Sequence, residues 1–275
     1  MAQICVYRCH PTIGWPLATR HRMLNLSTSD FPMPLPLPGL DELVIQPLFP
    51  VALGQVQLAL DPLELAGQLQ VLHALRGEAE GNPDPHCAWT GDLNGAWQLQ
   101  RHPAFARLLE QVARFTKSYG HQMGFDLSRV ALHMQRCWPV LCEPGQVVGR
   151  HHHPNAHLSA VLYLTGQGSS RCGCLRIWPQ RQVNELVPGM AVGHGGPLRE
   201  PAADGGSWIQ PWVDVAPRAG LLLLLPSCLD HAVLPNDDEN ELRISISCDF
   251  VLTAQANDPQ PPEYLAPHPS LWQEV

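Results

Sequence analysis

The stretch Arg243 to Phe250 reads RISISCDF. Polar and apolar residues alternate along it without a break, and successive side chains of a β-strand point to opposite faces of the sheet. Arg243, Ser245, Ser247 and Asp249 therefore share one face, and Ile244, Ile246, Cys248 and Phe250 share the other. The same parity runs through LSAVLYL, residues 158–164, where Ser159, Val161 and Tyr163 oppose Ala160, Leu162 and Leu164. An arginine facing into an apolar β core is a buried charge unless an anion meets it. A ligand carboxylate suits that role, because the guanidinium fork binds it through two parallel hydrogen bonds, and Ser245 adds a hydroxyl to the same anion.

Around this strand lie other short runs bounded by Gly and Pro: RVALHMQRCWPVLC, AHLSAVLYL, CGCLRIW, WVDV, LLLLL and HAV. That pattern predicts an all-β sandwich or barrel. Upstream the period is helical. Asp61 reads as an N-cap with Pro62 at the first position, Glu64 in a capping box, Leu65, Leu69 and Leu72 on one face, and Gly77 as terminator. A second helix opens at Pro103, repeats Phe105, Leu108, Leu109, Val112 and Phe115, and closes at Gly120. Between them, Gly77 to Gln98 reads as a loop anchored by Trp89 and Trp97. The run DELVIQPLFPVALGQVQL reads as one or two edge strands. Pro188 to Pro211 holds six glycines and no periodicity, which suggests a lid over a site. The expected organisation is a Pro-rich leader over 1–44, a strand and supporting-helix segment over 45–124, a β core over 125–254, and an irregular tail over 255–275.

Composition narrows the class. The formal charge of the 275 residues is −8 and the sequence holds no long Lys/Arg cluster, so nucleic acid is not an expected partner. Nine cysteines form no CxxC pair, and the first residues lack the blocks of a signal peptide, which predicts reduced thiols and a cytoplasmic protein. The longest apolar run, Leu221 to Leu225, is too short for a bilayer, so no membrane partner is expected.

The chemistry centres on HHH, residues 151–153. On a strand His151 and His153 share a face while His152 points away, which is why HxH spacing suits a metal. Each piece has a plainer reading. Histidine runs are often solvated, Arg243 could pair with Asp237, Asp238 or Glu239 at an exposed strand end, and a lone His231 means little. The weight lies in the joint order: HxH, a strand with Ser159 and Tyr163, the turn PRAG, an apolar strand, His231, then RIS.

That order resembles the Fe(II)/2-oxoglutarate-dependent dioxygenases. HHHPNAHLSAVLYL, PRAGLLLLLPSCLDHAVLPN and LRISISCDF are similar to the 2-oxoglutarate oxygenase family of marine cyanobacteria and their phages, as are LFPVAL and LNGAWQL further upstream. The resemblance covers most of residues 45–253. It implies a double-stranded β-helix (jelly-roll, cupin-like) core with supporting α-helices, using Fe(II), 2-oxoglutarate and O2 to hydroxylate a small-molecule or peptide substrate. It implies His151, His153 and His231 as metal ligands, Arg243 with Ser245 as the 2-oxoglutarate clamp, and Ser159 and Tyr163 as further cofactor contacts. His153 stands where the wider superfamily has a carboxylate. Two other readings remain: a cupin-type three-histidine metalloenzyme that does not use 2-oxoglutarate, and a non-catalytic β-sandwich binding module.

Overall fold

The computed structural model describes residues 40, 51–78, 84–180, 212–237, 241–260 and 265–275. The chain divides into two compact units, Met1–Phe49 and Pro50–Val275, and every helix and strand among the described residues belongs to the second. The leader over 1–44, apart from Leu40, the strand expected within 41–50 and the lid over 188–211 lie outside the described residues.

Asp61 caps the first helix as the sequence predicts. Its carboxylate accepts from the backbone N–H of Leu63 (2.9 Å) and Glu64 (3.0 Å), which satisfies two donors that the first turn leaves unpaired. The helix, α1, runs Pro62–Glu78 and so passes through Gly77. Glu64 does not close the box but bonds Arg107 at 2.7 Å, on the second helix, α2, Ala106–Gln122. A 3-10 turn, Pro103–Phe105, leads into α2, with the His102 side chain accepting from Ala104 N–H. Gly120 lies inside α2, and the left-handed residue after its end is Gly124 at φ +98°, so the terminator is one turn later than the sequence predicts.

The β-strands are β1 (Gly54–Gln57), β2 (Trp89–Thr90), β3 (Val130–Cys142), β4 (Val148–His151), β5 (Leu158–Tyr163), β6 (Leu175–Ile177), β7 (Val213–Val215), β8 (Leu221–Pro226), β9 (His231–Val233) and β10 (Arg243–Ala254). Among the described residues, six strands form one sheet in the order β1-β8-β5-β10-β3-β2, and four form a second in the order β4-β9-β6-β7. From β3 to β10 the chain passes repeatedly from one sheet to the other. This is the double-stranded β-helix, or jelly roll, and it is mainly antiparallel β with a helical layer on one side. Trp89, in a segment that reads as loop, forms an edge strand of the large sheet and is buried, whereas Trp97 is 39% exposed and is no core anchor.

The parity of β5 and β10 divides the core in two. Ala160, Leu162, Leu164, Ile244, Ile246, Cys248 and Phe250 pack with Leu108, Leu109 and Val112 beneath the helices. Val161 and Tyr163 face the other way and pack with Trp138, Leu175 and Val233. Burying such side chains contributes about 1.5–3 kcal/mol each relative to exposure, and the helices cover the first group. The second group lies between the sheets, where the polar residues of β10 also point. Gly220, in the turn before β8, allows Leu58 to approach: a Cβ there would lie 2.3 Å from Leu58 O, and its φ is +84°.

Candidate metal centre

The register of the small sheet sets His151 directly opposite His231, with Ile177 on the far side of His231. Directly opposed side chains on neighbouring strands have Cβ atoms about 4.5–5.5 Å apart, so two imidazoles are brought together by pairing alone. His153 lies two residues past β4, where its N–H donates to Ser227 O at 2.9 Å. The ring centroids stand 4.4 Å (His151–His231), 5.0 Å (His153–His231) and 5.3 Å (His151–His153) apart.

Each ring has its Nδ1 engaged by an oxygen. His151 Nδ1 lies 2.7 Å from Gly149 O, His231 Nδ1 2.9 Å from Leu229 O, and His153 Nδ1 2.6 Å from Asp249 Oδ1. Carbonyl and carboxylate oxygens only accept, so Nδ1 carries a proton in all three, and Nε2 is the nitrogen that holds the lone pair whenever the ring is neutral. One nitrogen from each ring lies within 4.8 Å of the other two. Three ring nitrogens this close together are a donor set for a cation. Burial pulls the His231 imidazole down to about 4, with His151 beside it acting in the same direction, and burial likewise lowers His151. Both rings are therefore neutral near pH 7, as ligands must be. His152 points away, half exposed, and its Nδ1 lies 3.2 Å from Asp230.

His153 is held differently from the other two. Asp249 is fully buried, and the same Oδ1 that meets His153 accepts from Ser159 Oγ at 3.1 Å, while its Oδ2 accepts from Arg136 Nη2 at 2.7 Å. Burial pushes the Asp249 carboxyl up, but the hydrogen bond from His153 and then the contact with Arg136 outweigh it, and the group lies below the ordinary carboxylate range.

A cavity of about 430 Å³ opens onto the three imidazoles, and Arg243 and Ser245 lie on the same wall. Arg243 is 1% exposed, and no carboxylate pairs with it among the described residues. Its Nη1 donates to Ser245 Oγ at 3.2 Å, its Cζ sits 5.0 Å over the Tyr163 ring, and its Nε has no hydrogen-bond partner. The alternative that Arg243 joins an exposed strand-end ion pair does not hold for Asp237, because the arginine is buried at 1% exposure and forms no ion pair with it; residues 238–240 lie outside the described residues.

Two of the expected cofactor contacts, Ser159 and Tyr163, are not among the residues that line the cavity. Ser159 does not line the cavity, because its hydroxyl is turned to Asp249 and to His153 Nδ1 at 3.0 Å. Tyr163 lies fully buried beneath the guanidinium rather than on the wall. Asp249 and Arg136 stand behind the histidine cluster, and the sequence pattern does not single them out. Parity puts Asp249 on the same face as Arg243, and that is the one local signal for it.

Residues 136–249 match the model of a family described as "Putative 2OG-Fe(II) oxygenase". That span carries the three histidines, Arg243, Ser245 and the Arg136–Asp249 pair. Two solved structures share the fold. One is the non-heme alpha ketoglutarate dependent epimerase SnoN from nogalamycin biosynthesis, 18% identical, covering 79% of this chain and 91% of its own at a TM-score of 0.51. The other is the non-heme alpha ketoglutarate dependent carbocyclase SnoK from the same biosynthesis, 14% identical, covering 74% of this chain and 82% of its own at a TM-score of 0.51. No curated protein sequence matches the chain. No helix among the described residues is long and apolar enough to cross a membrane.

Proposed function

We propose that the protein is an Fe(II)/2-oxoglutarate-dependent dioxygenase that hydroxylates a small-molecule or peptide substrate. The observation that carries this reading is Arg243: a cation 1% exposed, lacking an acidic partner among the described residues, on the wall of the cavity that three metal-ready imidazoles share. An uncompensated buried charge is costly. A dicarboxylate whose far end meets Arg243 removes that cost while its near end reaches the metal.

Iron(II) fits the donor set, since imidazole nitrogens bind it well; bound with 2-oxoglutarate it supplies O2 activation coupled to decarboxylation of 2-oxoglutarate to succinate. The chain's own residues bind, orient and exclude water. His151, His153 and His231 hold the metal. Arg243 binds the distal carboxylate, and Ser245, which accepts from Arg243 through its oxygen, keeps its own proton free to donate to the same carboxylate. The ring of Tyr163 lies against the guanidinium, a cation–π contact. Trp138, Val140, Val161, Leu175 and Val233 add apolar lining to the cavity, and apolar surface beside a charge–charge contact strengthens it by lowering the local dielectric.

The three-imidazole donor set favours one rival, a three-histidine metalloenzyme that takes no 2-oxoglutarate. One titration separates the two. Under anaerobic conditions, Fe(II) followed by 2-oxoglutarate should produce a weak visible charge-transfer band, and admission of O2 should release succinate. Protein that binds iron but neither binds nor consumes 2-oxoglutarate would establish the rival.

A further inference from the structure

We infer that Asp249 is the residue that makes His153 a metal ligand, supplying through the imidazole the negative charge that a directly ligating carboxylate would otherwise bring. The inference rests on the reading of the three histidines as a metal centre and not on the use of 2-oxoglutarate.

The three Nδ1 partners are not equivalent. Gly149 O and Leu229 O are neutral carbonyls reached within the histidines' own chain segments. Asp249 is a carboxylate 96 residues away in sequence, fully buried, at the shortest of the three distances, 2.6 Å. A hydrogen bond to an ionised acceptor is roughly twice as strong as one between neutral groups. It raises the basicity of the opposite nitrogen and fixes both tautomer and ring direction. Three neutral imidazoles around a dication leave a site one unit more positive than two imidazoles and a carboxylate. Asp249 brings a carboxylate to the site one residue further out, with its ion pair to Arg136 offsetting part of that charge.

The surroundings are consistent with a carboxylate placed to act through His153. Asp249 and Arg136 are register partners on β10 and β3, beside a bulge in which Gln135 is the extra residue, since Asp249 pairs with Arg136 and Phe250 with Met134. Bulges re-aim side chains. Ser159 and His153 share one oxygen while Arg136 takes the other, so the carboxylate is satisfied on both sides and cannot rotate away. Arg136 also stacks on Trp138, 5.0 Å from its ring, and Trp138 lies 5.4 Å from the His153 ring, closing the remaining side. Asp249 is thus a positioning residue: it lies behind the ligand and does not line the cavity.

The test uses Co(II) as probe, added to the metal-free full chain under exclusion of air, with affinity read by titration calorimetry and the ligand field by the visible d–d spectrum. Asp249→Asn keeps an oxygen able to accept from Nδ1 but removes the charge. Its Co(II) affinity should fall about 10- to 100-fold and its d–d bands should shift, while the far-UV circular dichroism of the metal-free protein stays as in the wild type. Should that variant fail to fold, Asp249→Asn with Arg136→Met removes both members of the ion pair and carries the same expectation. In a His153→Asp background, where a carboxylate replaces the imidazole itself, adding Asp249→Asn should cost no affinity. A purely structural role predicts an equal loss in both backgrounds, and wild-type Co(II) affinity with an unchanged spectrum in either Asp249 variant overturns the inference. A loss of Co(II) affinity in a protein that ignores 2-oxoglutarate would leave the inference standing and remove the proposed co-substrate.

Discussion

Gly173 sits against Arg243: a Cβ at position 173 would lie 3.1 Å from Arg243 Cδ and 3.2 Å from Leu234 O, and the Gly173 φ is +72°. The stem of the buried arginine therefore runs through space that only a missing side chain provides. Gly173→Ala should cost about 1–2 kcal/mol of stability from the left-handed backbone alone. It should also displace the guanidinium, so that 2-oxoglutarate affinity falls while Co(II) affinity, set at the other end of the cavity, stays. Calorimetry with each ligand separates the two, and a matched fall in both would mean that the whole site had shifted.

Arg243→Met should act with opposite signs on stability and binding. Hydrogen bonds to a charged group contribute about 1.5–3 kcal/mol, so 2-oxoglutarate affinity should drop at least tenfold, with partial recovery in Arg243→Lys. Removing an unpaired buried charge should at the same time raise the melting temperature of the ligand-free protein. A melting temperature that falls instead would reveal a counter-charge among residues outside those described.

His153→Ala should lower metal affinity severely, and His152→Ala, whose ring points to Asp230 at the surface, should leave it nearly intact. Equal Co(II) binding in wild type and His153→Ala, with His151→Ala impaired, would reduce the centre to two histidines.

Acid should destabilise the metal-free protein within a defined window. His231 is held at about 4 in the fold against an ordinary value of 6.5, so between those values the unfolded chain takes up a proton that the folded one refuses. The neutral ring costs nothing above 6.5. Stability then falls as pH drops toward 4, by roughly 3 kcal/mol in all, and the lowered His151 adds in the same direction. Urea midpoints measured at pH 7.5, 6 and 5 should decline steadily, and His231→Gln should flatten the decline. A flat wild-type series would contradict the burial argument.

The strand content and the two-faced character of β5 and β10 were legible because alternation reports burial on one side, whatever the partner. The meeting of His151, His153 and His231 was legible only in outline. The β4–β9 register that opposes His151 and His231 depends on pairing across 80 residues, which no local pattern encodes. Ser159 shows the limit of parity: it gave the correct face, but the oxygen it bonds belongs to Asp249, and only the β5–β10 pairing of Ser159 with Asp249 explains why it turns there instead of into the cavity. Gly120 and Gly124 show another limit. The sequence marks Gly120 as the stop, yet Gly120 lies inside α2 and it is Gly124 that takes the left-handed backbone.

Because side chains alternate along β10, the residues that shape the cavity (Arg243, Ser245 and Ser247) interleave with those that hold the helices to the sheet (Ile244, Ile246 and Cys248). The two sets meet different neighbours across the same ribbon of backbone. New pocket chemistry can therefore be tried one residue at a time on one side without disturbing the scaffold on the other, giving this wall an unusually modular path for evolution and for engineered changes of substrate.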